Sequence, residues 1–139
     1  MGSRGQAIKA GGFKEYHYHT IMRYNKVRFI VQNDGKSIKL PEMSNSRWAV
    51  YTTIGKNGKI KSVSFYNGSR KKFKEIDYHD HKGLKPHVHI LDPETGLRND
   101  SLFLPRKPTS YELRRLKRIE NFYERHTLRD KAINYYRSK

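Results

Sequence analysis

Four of the chain's seven histidines crowd into one stretch, HDHKGLKPHVHI, at residues 79–90. His79 and His81 form one His-x-His pair, His87 and His89 a second, and a loop of Gly, Lys and Pro separates them. Imidazole titrates nearest neutrality of all side chains, so such a cluster has two chemical uses: moving protons and holding a metal ion. The proton-transfer chemistry that suits it is RNA cleavage by internal attack. A base takes the 2′-hydroxyl proton, an acid protonates the leaving 5′-oxygen, and a cation meets the charge of the developing phosphorane. Two histidines and a lysine such as Lys85 suffice. No metal is required, because the nucleophile already lies in the substrate, and the need for a 2′-hydroxyl confines activity to RNA.

The metal alternative uses the same residues. Four imidazoles can enclose Zn²⁺, or three can hold Zn²⁺, Fe²⁺ or Mn²⁺ with one position open, and Asp77, Asp80 and Asp92 lie near enough in sequence to act as ligands or as their partners. Against this stand the chain's excess positive charge and the lack of any spacing diagnostic of a closed zinc site. A third alternative is that the histidines only decorate a polar loop and an exposed strand face. The expectation adopted is metal-free catalysis with no cofactor, by His79, His81, His87, His89 and Lys85.

What must position these residues is a small fold. A chain of 139 residues suits one compact domain with a modest core. Residues 1–12, rich in Gly, Ser and Lys without a period, read as a flexible tail, and residues 13–139 as a single α+β domain starting near Phe13. EYHYHTIMRY and KVRFIVQ flank a polar break at Asn25 and suggest two paired strands. After a turn at QNDGKS, the runs RWAVYTTI, IKSVSFY and KFKEIDY alternate with Asn-Gly turn signals, which predicts an antiparallel meander. HVHIL follows Pro86 as a short strand. Its period-two alternation puts Val88 and Ile90 on one face and His87 and His89 on the other, where they should be solvent-accessible.

DPETGLRNDSLFLPRKP reads as a loop. Thr109 and Glu112 then offer a capping box for a helix running to about Tyr136, with a second cap-like run, TLRD at 127–130, that can divide it. Leu113, Leu116, Ile119, Phe122, Tyr123, Ile133 and Tyr136 make one side apolar, and Arg114, Arg118, Arg125 and Arg129 fall on the opposite side. The architecture expected is a twisted antiparallel sheet covered by a C-terminal helical layer.

Thirty Lys and Arg against thirteen Asp and Glu leave a formal charge of +17, which makes nucleic acid the expected partner, RNA favoured. Arg70, Lys71 and Lys72, capping a hairpin beside the histidines, and the four helical arginines are the candidate phosphate contacts, with a solvated turn and a solvated helix face as the equal alternative. Tyr51, Tyr66 and Tyr78 are candidates for stacking on bases, or for packing in the sheet. His17 and His19 repeat the His-x-His pattern on the first strand as candidates to join the site, and His126 suits a core or boundary role on the helix. No run approaches the roughly 18 apolar residues of a spanning helix, and MGSRGQAIKAGG lacks the apolar segment of a signal peptide, so no membrane role and a cytoplasmic start are expected. The absence of cysteine excludes disulfides and thiolate chemistry.

The opening MGSRG, the hairpin region NGKIKSVSFYNGSRKKFKEID, the HDH and PHVH motifs and the later DPETGLR resemble a group of small phage- and prophage-borne proteins. The Ile-Asp, His and PHVH portion is also similar to domains at the C-termini of bacterial polymorphic toxins, grouped with the barnase, EndoU, colicin and RelE-like ribonucleases. The likeness covers roughly residues 1–5 and 57–98. It implies a ribonuclease-toxin-like α+β fold, a functional cluster of His79, His81, His87 and His89, an immunity or virion partner, and a location in the host cytoplasm or on the virion. The same pattern is compatible with a non-enzymatic phage protein that binds nucleic acid or virion components, and a histidine-cluster metal-dependent hydrolase is a further alternative.

Overall fold

The computed structural model describes residues 18–32, 43–44, 46–80, 82–98 and 104–138. The expected tail over residues 1–12, the expected start of the fold at Phe13, and both His17 and His81 lie outside them. Six strands, β1 (Tyr18–Tyr24), β2 (Val27–Gln32), β3 (Val50–Ile54), β4 (Ile60–Tyr66), β5 (Lys72–Asp77) and β6 (His87–Ile90), precede two helices, α1 (Ser110–Arg125) and α2 (Leu128–Arg137). The strands form one sheet in the order β1-β2-β3-β4-β5-β6. The α+β class is therefore as the sequence predicts.

The turns follow the expected chemistry. Asn25, at φ +56, closes β1 onto β2 in the left-handed region that Asn tolerates. In the next-but-one hairpin the Asn67 carboxamide oxygen accepts the backbone N–H groups of Ser69 and Lys71 at 2.9 and 3.0 Å, which turns β4 into β5. One expectation fails: β2 and β3 run parallel, not antiparallel. Parallel neighbours cannot be joined by a tight turn, and the connection over residues 33–49 is long enough for the crossover they need. All other neighbours are antiparallel.

The sheet's two faces differ in kind. One carries Phe29, Val31, Val50, Val63, Phe65, Ile76 and Val88, which pack beneath Leu116, Ile119, Tyr123, Leu128 and Ala132 of the helices. Each such side chain taken from water contributes about 1.5–3 kcal/mol, so this face secures the helical layer. Phe122 and Tyr123 stack on Phe29 with centroids 5.6 and 5.9 Å away. The other face has a smaller cluster of Tyr18, Ile30, Ala49, Tyr51 and Tyr66. Tyr51 and Tyr66 are thus sheet packing, their rings 5.1 Å apart.

The capping box at Thr109 and Glu112 opens α1 as expected, and the helix breaks at His126 and Thr127. Thr127 makes no side-chain cap, however; it sits at φ +50 and its hydroxyl donates to the His126 carbonyl. Leu113 is half exposed instead of facing the core, because its neighbour Glu112 is buried and orients the first turn. Glu112 accepts both Arg106 Nη atoms at 2.9 Å and Lys74 Nζ at 3.0 Å. Arg106 in turn pairs its backbone with Val88, extending the sheet beyond β6. No helix among the described residues is long and apolar enough to cross a membrane.

Candidate functional site

The face of the sheet away from the helices gathers ionisable groups towards the β6 edge. Strand pairing sets Glu75 opposite His89 and Asp77 opposite His87, so the four share one surface with register fixed by the β5–β6 ladder. As predicted, His87 and His89 lie on one face and Val88 on the other. Against prediction, neither imidazole is solvent-accessible: both are 1% exposed. The alternation decides which side of the sheet a residue faces, but whether that side meets water depends on what the rest of the chain lays over it.

Asp77 is the hub. Its Oδ2 lies 3.3 Å from Nε2 of His89 and 3.6 Å from Nε2 of His87, and the three ligand-bearing atoms fall within 4.8 Å of one another. The Nδ1 of His87 donates to the His79 carbonyl at 3.0 Å, which fixes that ring's orientation and, when it is neutral, its tautomer. His79 stands edge-on to His87, and His87 edge-on to His89, with centroids 4.9 and 4.7 Å apart. Burial works to raise the Asp77 carboxyl, but the hydrogen bond and charge of His89 and the charge of His87 hold it below the usual range. Burial lowers His87, reinforced by His89 and opposed by Asp77. Two residues back, burial raises the Glu75 carboxyl despite Lys72, whose Nζ lies 3.8 Å away.

Beside this cluster opens a cleft of about 760 Å³. Lys72, Glu75, Asp77, His79 and Lys85 are in its lining, together with Lys59, Lys61, Glu120 and Arg129. Of the expected catalytic residues, His79 and Lys85 are exposed on the cleft, His87 and His89 are buried in the sheet and are not in its lining, and His81 lies outside the described residues. Asp80 is exposed near the loop and Asp92 lies beyond β6, where its carboxylate accepts the Glu94 N–H, away from the cluster. Lys72, Glu75 and Asp77 are the members that the histidine pattern passed over or left secondary. Their signal was the spacing of Glu75 and Asp77, two apart on a strand that precedes the histidine strand and so pairs with it.

The expected phosphate contacts divide. Arg70 is exposed at the β4–β5 turn, whereas the Lys71 ammonium donates to the Glu94 carbonyl and Lys72 is buried beside Glu75. The turn stands at the far end of β5 from Asp77, so it is not beside the histidines as expected; a strand of this length spans roughly 17–20 Å. Arg114, Arg118 and Arg125 are exposed on α1, and Arg129, on α2, reaches the cleft. Tyr78 does not present itself for stacking, since its hydroxyl donates to Glu120 at 2.6 Å and burial raises its pKa. His19 stacks on Tyr135 at 5.3 Å and stays apart from the cluster, and His126 stacks on Phe122 at 4.0 Å in a boundary role. No protein-family model, curated protein or solved structure matches the chain.

Proposed function

We propose that this chain is an RNA-binding, endoribonuclease-like protein that cleaves the phosphodiester by internal attack of the 2′-hydroxyl in the cleft beside β5. One observation carries the proposal: a roomy cleft has carboxylates, an imidazole and ammonium groups in its lining, among them Glu75, Asp77, His79 and Lys85. In these roles Glu75 takes the 2′-hydroxyl proton, His79 protonates the leaving oxygen, and Lys85 offsets the phosphorane charge, while Lys72, as buried as the two histidines, acts on Glu75 from behind. His87 and His89, being buried, act through Asp77 as positioning groups and do not touch RNA. Lys59, Lys61 and Arg129 supply cations for the flanking phosphates. The ribonuclease-toxin-like assignment and a phage or prophage origin rest on the motif resemblance.

The test uses purified protein and end-labelled RNA, with and without EDTA, beside the same oligonucleotide carrying 2′-deoxy sugars. The expected products end in 2′,3′-cyclic phosphate, the deoxy strand is spared, and Glu75→Gln and His79→Ala each slow cleavage roughly 100-fold or more. Cleavage of both strands at equal rates overturns internal attack, and no cleavage under any condition overturns the activity. The burial of His87 and His89 favours one second reading, a protein that binds nucleic acid without cutting it; salt-sensitive RNA binding with intact product would select it.

A further inference from the structure

We propose that Asp77, His87 and His89 form a binding site for one divalent first-row transition-metal ion, zinc foremost, that clamps the edge strand β6 to β5. The proposal goes beyond RNA cleavage and does not depend on it.

Three observations converge. First, the donor set is two imidazole nitrogens and one carboxylate oxygen, a set that suits zinc or iron(II) and is poorly matched to magnesium or calcium, which want oxygen. Secondly, the spacing fits: ligands about 2.0–2.1 Å from a tetrahedral zinc stand about 3.3 Å from each other, and the Asp77 oxygen lies 3.3 and 3.6 Å from the two Nε2 atoms. The longer distance is beyond a hydrogen bond but is within a few tenths of an ångström of a shared-ligand edge. Thirdly, His87 is already set as a ligand. Its Nδ1–H is committed to the His79 carbonyl, so the neutral ring directs the Nε2 lone pair at the side of Asp77. Metal-bound histidines characteristically give their other N–H to a carbonyl or carboxylate in this way. The Nε2 lone pair and the Asp77 carboxylate thus face the same space, an arrangement that one bound cation can bridge.

The buried ammonium of Lys72, a charge that would oppose the ion, lies 3.8 Å from Glu75. Three protein ligands leave a coordination position for water or an anion. The ligands come from adjacent strands in register, Asp77 opposite His87, so occupancy ties the edge of the sheet together and steadies the loop that bears His79 and Lys85.

The test takes untagged full-length protein, stripped with chelator and dialysed, and titrates it with cobalt(II) and then zinc. We expect a visible cobalt absorption that saturates at one equivalent and is abolished by zinc, and a melting temperature raised by roughly 5 °C or more at a hundredfold excess of zinc over its Kd. Asp77→Asn and His89→Gln should each weaken zinc binding roughly 100-fold, whereas His126→Ala, on a surface histidine, should not change it. If the parent protein, folded by circular dichroism, gives neither the cobalt absorption nor the thermal shift at millimolar metal, the proposal is overturned. Binding undiminished in the folded Asp77→Asn and His89→Gln variants also overturns it; should either fail to fold, the parent titration decides. Neither readout involves RNA, so an inactive protein that binds one cobalt removes only the cleavage proposal, and an active one that binds none removes only this one.

Discussion

Glu112 ties the helical layer to the strand that carries the histidines, and its replacement by Gln should reveal how much that tie contributes. The carboxylate is 4% exposed and receives Arg106 through two bonds at 2.9 Å, Lys74 at 3.0 Å and the Thr109 N–H at 2.9 Å. Burial pushes its pKa up, but Arg106, the Thr109 backbone and Lys74 outweigh that and bring it from 4.5 down to about 2. A drop of 4.5 − 2 = 2.5 units is about 3 kcal/mol at most. The Arg106 side chain is 39% exposed, so solvent screens part of the pair, and we expect about 1–2 kcal/mol. Because the folded value lies below the unfolded one, the stabilisation is complete above about pH 4.5 and is lost as the pH falls through about 2. Urea unfolding, followed by Trp48 fluorescence and circular dichroism from about pH 7 to about pH 3, should show Glu112→Gln less stable at neutral pH and converging on the parent in acid. A cycle with Arg106→Gln should return a coupling of about 1 kcal/mol. A neutral-pH deficit under about 0.5 kcal/mol, or one that stays constant into acid, would refute the reasoning.

If Arg114, Arg118, Arg125 and Arg129 track a phosphate backbone, replacing all four by Gln should flatten the log–log salt dependence of RNA affinity by about 2.8, at roughly 0.7 per contact on a single strand; equal slopes for variant and parent would remove the helices from the binding surface. Gly58→Ala should destabilise by about 1–3 kcal/mol in thermal or urea unfolding, since Gly58 sits at φ +79 and a Cβ there would lie 2.6 Å from Arg129 Cγ and 2.9 Å from Ile133 Cδ1; a variant as stable as the parent would show that the β3–β4 turn does not press on α2. His89→Ala should lower stability by about 2–3 kcal/mol, because it removes a buried ring and exposes Asp77 to loss of its partner; a surface-like change under about 0.5 kcal/mol in urea would mean that the imidazole is not held in the sheet.

Much of the fold was legible because it is written in local terms. Asn25, Asn67 and the Gly58 turn announce where strands reverse, Thr109 and Glu112 announce the helix, and the alternation in HVHI separates Val88 from the histidines. Each depends on backbone preferences or on a period that a few neighbouring residues carry. The parallel pairing of β2 with β3 was not legible, since a turn-like QNDGKS says nothing of where a long connection returns. Nor was the burial of His87 and His89: the two-residue period assigns a face, but only the assembled chain decides whether that face is covered. The site moved for the same reason. The histidines were conspicuous by type and spacing, yet it is the β5–β6 register that brings Asp77 to both of them, and the cleft that gathers Glu75, Asp77, His79 and Lys85 along its lining. The residue types and the two-residue period were enough to point to the histidines and to the face each strand residue takes; which groups meet was set by register and coverage, because those depend on contacts between segments far apart in the chain.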